Sequence, residues 1–293
     1  MRILVTGASG YTGSHVVQEC LERGWSVEAL VRSSSDVSRL AGFKDKVRIW
    51  HYDGTIASLC EVFRDRQIDS VVHIAGRSFY ACPPEDVQKT IDANLTFGTQ
   101  LLEVMNQFDC RRIVVAGSYW QTSMGADYSP NCLYAATKEA FERIIDYYCQ
   151  NRNFRCISLR LYDIYGPNDP RPKIWKMLDQ ATVEAQVVKM TPGTQIVSFS
   201  FIRDVTAAFC RAVEMVCNEF EDGQVERYYV PGDPIPLKEA VRLYLAQKGH
   251  SLEIDWGGVP FSDNQIMDPY VGTVLPGWVA KYSFGEAVKE MCE

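Results

Sequence analysis

The 293-residue chain has no apolar run long enough to cross a membrane, and none of its ten cysteines stands in a Cys-x-x-Cys pair. It also lacks an excess of basic residues. A net charge of −7 argues against a general nucleic-acid binder, which would carry a basic face, although a few local Arg or Lys residues suffice for a small anionic ligand. Cys20, Cys149 and Cys210 lie within helical apolar patterns. Reduced, structural thiols in a cytoplasmic protein are therefore expected, not disulfides. No internal repeat, low-complexity tract or metal-ligand cluster is apparent. The sequence opens directly on the strand-like Arg2-Ile3-Leu4-Val5-Thr6, so no secretory leader is expected. The 46% hydrophobic content is enough to bury a core and too high for disorder.

Short β-branched runs at 2–6, 26–31, 47–50, 70–74, 112–116 and 155–161 alternate with helical stretches at 15–23, 58–65, 86–108 and 134–151. That alternation predicts an α/β fold, a doubly wound parallel sheet of Rossmann type covered on both faces. After Gly166-Pro167 prolines cluster and the periodicity weakens, which predicts a small C-terminal substrate lobe. A strand at 196–202 and a helix at 204–216 are expected to return to the sheet. The expected division is a nucleotide-binding domain of residues 1–166 and 193–216 and a lobe of residues 167–192 and 217–293.

Gly7, Gly10 and Gly13 follow the first strand and open a helix. Spaced glycines there let the backbone turn sharply and approach a pyrophosphate, while the helix start offers free N–H groups. Thr6, Ser9, Tyr11 and Thr12 belong to the same expected dinucleotide cradle. An NAD-selective site usually ends its second strand on an acid that holds the adenosine ribose. Here the strand ends Val31-Arg32-Ser33, and Arg32 with Ser33 suits the 2′-phosphate of NADP(H). Asp53 and Gly54, after the third strand, are candidates for the adenine.

Tyr134 and Lys138 stand four apart at the start of a helix, so both side chains lie on one face. A neighbouring cation lowers a phenol's pKa and makes proton exchange with a substrate oxygen practical near neutrality. The pair falls just past the fifth strand, whose end carries Ala116-Gly117-Ser118, and strand ends are where such sheets place their ligands.

Taken in order, the Thr-Gly-x-x-Gly-x-x-Gly start, His73-Ile74-Ala75, Asn94-x-x-x-Gly98-Thr99, Ser118, Tyr134-x-x-x-Lys138 and Tyr165-Gly166-Pro167 resemble the extended short-chain dehydrogenase/reductase family. Its members include sugar-nucleotide epimerases, dehydratases and reductases. The resemblance spans nearly the whole chain. It implies that Tyr134 is the acid/base, that Lys138 binds the nicotinamide ribose and tunes the tyrosine, and that Ser118 orients the substrate oxygen. It further implies cofactor contacts at Ile74, Ala75, Gly76, Ala116 and Leu161, with Asn94 supporting the lysine.

The departures from the family pattern point to a branch. Dehydratases place Asp-Glu after the serine; here Tyr119 and Trp120 stand there, so a 4,6-dehydratase is not expected. Epimerases retain NAD, but the acid that NAD calls for is missing. The stretches around Ser118, Tyr134, Tyr165 and Leu275-Pro276-Gly277-Trp278 are similar to the CDP-3,6-dideoxyhexose synthases. The similarity implies an NADPH-dependent reductase of the 4-keto group of a CDP-linked deoxysugar. The remaining alternatives are an NAD-retaining 4-epimerase and a non-catalytic NADP-sensing protein. Tyr80, Tyr119 and Trp120 are expected to pack on a deoxygenated sugar face. Asp163 stands where the family commonly has Asn, and no Arg stands near Ile196-Val197 for the diphosphate. Arg171, Lys173 and Arg203 are expected to supply that charge. A homodimer is expected through the helices at 86–108 and 134–151, with Phe97, Leu101, Met105, Phe141, Ile145 and Tyr148 as apolar faces. The expected partner is a small-molecule sugar nucleotide, with neither nucleic acid nor membrane.

Overall fold

Arg2–Thr6 (β1) is apolar on both sides and buried from Ile3 onward, as a strand at the centre of a covered parallel sheet must be. The computed structural model describes residues 1–64 and 66–292. From β1 the chain runs through Tyr11–Glu22 (α1), Ser26–Arg32 (β2), Val47–Tyr52 (β3), Ile56–Phe63 (α2) and Ser70–His73 (β4). It continues through Val87–Ile91 (α3), Phe97–Gln107 (α4), Arg112–Ser118 (β5), Leu133–Arg152 (α5) and Arg155–Leu161 (β6). The six strands lie in the order β6-β5-β4-β1-β2-β3, every pairing parallel. The strand order reverses beside β1, the switch point where open α/β sheets bind ligands.

Several boundaries differ from the sequence pattern. The first helix begins at Tyr11, four residues before its apolar periodicity, because Gly10 ends the loop in an extended conformation. The helix expected at 58–65 starts at Ile56, and its expected end at Asp65 lies outside the described residues. The helix expected at 86–108 is interrupted by a π-helical turn, Asp92–Thr96. The wider turn carries Asn94 and buries it. Such turns recur at functional sites, and nothing in a 3.6-residue pattern announces one.

The larger correction concerns residues 163–230. Asp163–Tyr165 (β7) leaves the main sheet, and Ile174–Val183 (α6) and Val188–Met190 (β8) follow. Ile196–Phe201 (β9), expected in the central sheet, instead pairs parallel with β7 and antiparallel with Asp233–Pro236 (β11) in a separate three-stranded sheet. Ile202–Asn218 (α7) does return, packing on α1 and across β4–β6. The edge beside β6 is filled by Val225–Val230 (β10), parallel from Cys156↔Val225 to Leu161↔Val230. This strand lies inside the segment 217–293 expected to form the lobe. Its polar Val-Glu-Arg-Tyr-Tyr-Val pattern disguised it, because only its last two residues are buried. Leu237–Lys248 (α8), Ile254–Trp256 (β12) and Phe284–Cys292 (α9) complete the chain, with β12 paired to β8.

Cys20, Cys149 and Cys210 are buried free thiols within helices, as their patterns implied. The apolar residues expected to face a second copy do not do so. Leu101, Met105, Phe141, Ile145 and Tyr148 are buried in a core cluster with Ile113, Val115 and other residues of the sheet, and Phe97 packs against that cluster. Helices α4 and α5 lie directly on the sheet, which uses up their apolar stripes. No helix among the described residues is long and apolar enough to cross a membrane.

Candidate active site

The loop after β1 is shaped by backbone contact. Gly7 has φ +67°, and a Cβ there would lie 2.9 Å from the backbone of Ala75. A Cβ on Gly13 would lie 2.1 Å from Gly7 O, so neither position accepts a side chain. Gly10 N–H donates to Gly7 O (3.0 Å) and closes the turn. Gly10 is the N-cap of helix α1 and supplies no side-chain cap. First-turn N–H groups and the positive end of the helix dipole therefore face the loop. Such a cradle fits a dinucleotide pyrophosphate. Thr6 Oγ1 is hydrogen-bonded to His73 Nδ1 (2.9 Å) and accepts from Ala75 N–H (3.2 Å), which fixes Ile74-Ala75-Gly76 against Gly7. Burial, aided by the charge on Lys138, lowers the His73 pKa to about 3, so the ring stays neutral. The Tyr11 hydroxyl donates to Pro167 O (3.2 Å), and the Arg171 and Arg39 guanidiniums sit 4.8 and 5.6 Å from the centre of its ring.

Arg32 is exposed at the end of β2. Its backbone N–H donates to Ser35 Oγ (3.2 Å), and among the described residues its guanidinium has no partner. Ser33 N–H donates to Tyr52 O (3.4 Å). Asp53 and the positive-φ Gly54 form the turn after β3. Asp53 Oδ1 accepts from Thr55 Oγ1 and Thr55 N–H (2.6 and 2.9 Å), and the bond from the Thr55 side chain is the main reason its pKa is lowered.

Ser118 ends β5 with its hydroxyl accepting from Trp120 N–H (3.2 Å). Leu161, at the end of β6, is its register partner, and Ala116 lies two residues back on the same strand. Tyr134 enters on the first turn of α5. Lys138 follows one turn later, its Nζ 5.8 Å from the tyrosine ring centre. The lysine was expected to lower the phenol's pKa, but burial wins. Burial, then the Cys132 thiol, pushes Tyr134 well above the ordinary phenol range, opposed by a hydrogen bond with Ser118. The lysine is perturbed as well: burial lowers it to about 8 while Glu142 pulls the other way. Asn94 acts one step away from it. Its Oδ1 accepts from Arg77 N–H (2.8 Å), and its Nδ2 donates to Arg77 O (3.0 Å) and Thr137 Oγ1 (2.9 Å). Asn94 thus ties the loop after β4 to the residue before Lys138. A Cβ on Gly76 would lie 3.2 Å from Lys138 Nζ, so the loop rests against the ammonium.

Beside this group lies a cavity of about 190 Å³ lined by Tyr80, Tyr119, Trp120, Asn131, Asp163, Ile196, Val197, Gln265, Ile266 and Pro269. Trp120 meets Tyr134 edge-on at 6.0 Å and Tyr80 at 5.7 Å, giving an aromatic wall that starts at the phenol. Tyr119 stacks on Tyr162 at 4.7 Å and donates to Asp163 Oδ2 (3.0 Å). The Tyr80 hydroxyl donates to Asn264 Oδ1 (2.6 Å), drawing the segment after β12 over the mouth. The cations expected here do not line it. Arg171 forms a two-pronged pair with Asp169 (2.7 and 2.6 Å). Lys173 donates to Ile164 O (2.9 Å) and lies 3.9 Å from Asp163. Arg203 pairs with Glu290 (2.8 Å) and donates to Tyr282. Each is held by a partner within reach of its own segment. Asn131, Gln265, Ile266 and Pro269 were missed, since they come from irregular loops without a motif.

The sequence pattern of the NAD dependent epimerase/dehydratase family matches residues 3–225. A CDP-abequose synthase of Salmonella muenchen is 25% identical over 294 residues, covering 99% of this chain and 96% of that protein. A CDP-abequose synthase of Yersinia pseudotuberculosis is 27% identical over 270 residues and 92% of each chain. Among solved structures, a Thermus thermophilus UDP-glucose 4-epimerase in complex with NAD has a TM-score of 0.82 at 23% identity, over 100% of this chain and 98% of that one. The UDP-glucose-4-epimerase of Stenotrophomonas maltophila with bound NAD gives 0.86 at 17% identity, over 100% and 97%. At these identities the solved structures speak for the fold.

Proposed function

Because the chain belongs to the NAD dependent epimerase/dehydratase family, we propose that it is an NADPH-dependent reductase of the 4-keto group of a nucleotide-linked deoxysugar. CDP-4-dehydro-3,6-dideoxyglucose is the proposed substrate. The observation that carries this reading is Tyr134, one turn before Lys138 on α5, its phenol kept neutral by burial and its ring edge-on at 6.0 Å to Trp120, which walls the cavity with Tyr119. A phenol kept protonated is equipped to give a proton. The two positions after the serine hold aromatics, where an elimination would need an acid and a base. Near-full-length similarity to CDP-abequose synthases supports the substrate class. In functional terms, residues 1–166, α7 and β10 hold the cofactor, and the remaining segments hold the sugar nucleotide.

Gly7, Gly13 and the start of α1 would hold the pyrophosphate, Arg32 and Ser33 the 2′-phosphate, and Lys138 the nicotinamide ribose. A bound nicotinamide supplies a hydride to C4 of the sugar. Tyr134 gives its proton to O4, where negative charge grows. Ser118 donates a second hydrogen bond to that oxygen, and the Lys138 ammonium stabilises the phenolate left behind. The Trp120 and Tyr80 rings exclude water from this side.

The test is consumption of free NADPH in step with product when CDP-4-dehydro-3,6-dideoxyglucose is supplied. The NAD bound in the solved epimerases favours a second reading, an NAD-retaining 4-epimerase. In that case the purified protein would carry NAD and oxidise no added NADPH.

Arg32→Ala is expected to weaken NADPH binding by roughly 1.5–3 kcal/mol, the usual worth of a hydrogen bond to a charged group. NADH affinity should hardly move. Titration of both cofactors checks this, and equal losses would remove Arg32 from the 2′-phosphate site.

A further inference from the structure

The cavity beside Tyr134 presents aromatic faces and hydrogen-bond acceptors, and no cation lines it among the described residues. At about 190 Å³ it falls below the roughly 300–1,000 Å³ of pockets that enclose a drug-sized ligand. It therefore suits one uncharged ring, and a diphosphate there would meet the Asp163 carboxylate.

One wall residue is unusual. Asn131 Oδ1 is buried and has no hydrogen-bond partner, whereas buried side-chain polar atoms in folded proteins nearly always have one. The main chain of Asn131 is fully engaged. Its N–H donates to Trp120 O (3.3 Å), and its carbonyl accepts from Asn264 Nδ2 (2.7 Å). The residue is thus anchored by its backbone while its side-chain oxygen is free to accept.

A 4-keto-3,6-dideoxyhexose joined to a nucleotide through C1 retains a single hydroxyl, on C2. We infer that Asn131 is the specificity-determining acceptor for that C2 hydroxyl, with the Trp120 and Tyr80 rings covering the deoxygenated part of the ring. The inference rests on the reduction proposed above and deepens it by assigning the one hydroxyl donor of the sugar ring to a buried, unpaired acceptor in the wall. The last side-chain torsion of Asn131 is broad and low in cost, so the amide of this cavity-lining residue can turn to meet the ring.

Equilibrium titration of wild type, N131L and N131D tests this with two ligands, the CDP-linked 4-keto-3,6-dideoxy sugar and its 2-deoxy counterpart. NADPH oxidation is followed in parallel. Wild type is expected to bind the C2-hydroxylated sugar about 10- to 100-fold more tightly than the 2-deoxy sugar. N131L should bind the two equally, and N131D, which keeps an acceptor oxygen, should still discriminate. Unchanged CDP affinity and thermal midpoint in N131L would show an intact fold. Discrimination surviving in N131L, or absent from wild type, overturns the inference. Discrimination lost in N131L from a wild type that never oxidises NADPH would sink the reductase reading and leave the Asn131 contact standing. Failure of wild type to bind either sugar would overturn both.

Discussion

Tyr134→Phe reduces the keto sugar roughly 10²–10⁴-fold more slowly than wild type in a single turnover, the usual worth of a positioned proton donor, and binds NADPH as well as before. The two outcomes separate because the Tyr134 ring lies edge-on to Trp120 of the aromatic cavity (6.0 Å), away from the glycine cradle of the phosphates. Ser118→Ala should also slow turnover, and it should leave the phenol less acidic, since the bond with Ser118 is what pulls its pKa down. Lys138→Ala should impair both turnover and cofactor affinity. The pH dependence follows from the same lysine. Its folded pKa is lowered to about 8 from an ordinary 10.5, so the ammonium is present below about pH 8 and lost above it. The rate constant for reduction at low substrate is expected to fall as pH rises through that value. A profile flat to pH 10, or a Tyr134→Phe protein with the wild-type rate, would place the proton donor elsewhere.

The other large effect lies under the site. Glu142 is buried on α5 with Arg160 (2.9 Å) and Arg227 (2.8 Å), and it accepts from the Ser158 hydroxyl (2.6 Å) and Gln121 Nε2 (3.2 Å). Arg160 is only 4% exposed, and its Nη1 is already unpartnered. Glu142→Ala would leave that guanidinium with Glu139 alone (3.2 Å). Breaking a buried pair from one side typically costs about 3–5 kcal/mol, a large part of the stability of an ordinary domain. The damage should reach the site, because Gln121 Oε1 accepts from Ser118 N–H (2.9 Å). Urea unfolding of Glu142→Ala, compared with a variant of the exposed pair Arg242–Glu239 (2.6 Å), checks this. Similar midpoints would mean that the buried network contributes little.

What was legible in the sequence was whatever leaves a period or a fixed spacing. The covered strands β1 and β5, the glycines at 7, 10 and 13, and the four-residue step from Tyr134 to Lys138 each follow from local geometry. Tyr80, Tyr119 and Trp120 were singled out as aromatics able to pack on a sugar face, and all three line the cavity. The π turn at Asn94 was invisible, since it adds one residue to a helix without altering its composition. β9 was assigned to the wrong sheet because partner choice depends on the chain's path after Gly166-Pro167, whereas alternation only marks a strand, and β10 was missed because only its last two residues are buried. Arg171 and Arg203 were chosen for charge alone, and Asp169 and Glu290, which hold them, are evident only in three dimensions. The net shift of Tyr134 ran opposite to expectation because burial, its largest cause, cannot be read from spacing.

The position of β10 bears on how the chain is made. Translation delivers roughly 5–20 residues per second, so β6 leaves the ribosome several seconds before the strand that pairs with it. Until then its outer row of N–H and C=O groups is open, and an uncovered edge is a template for joining another chain. A chain stopped after α7, at Asn218, would carry that edge permanently and is expected in the insoluble fraction when the full chain is soluble. The nascent protein thus passes through a brief aggregation-prone interval that ends only when Val225–Val230 arrives, which makes the pace of synthesis a determinant of yield.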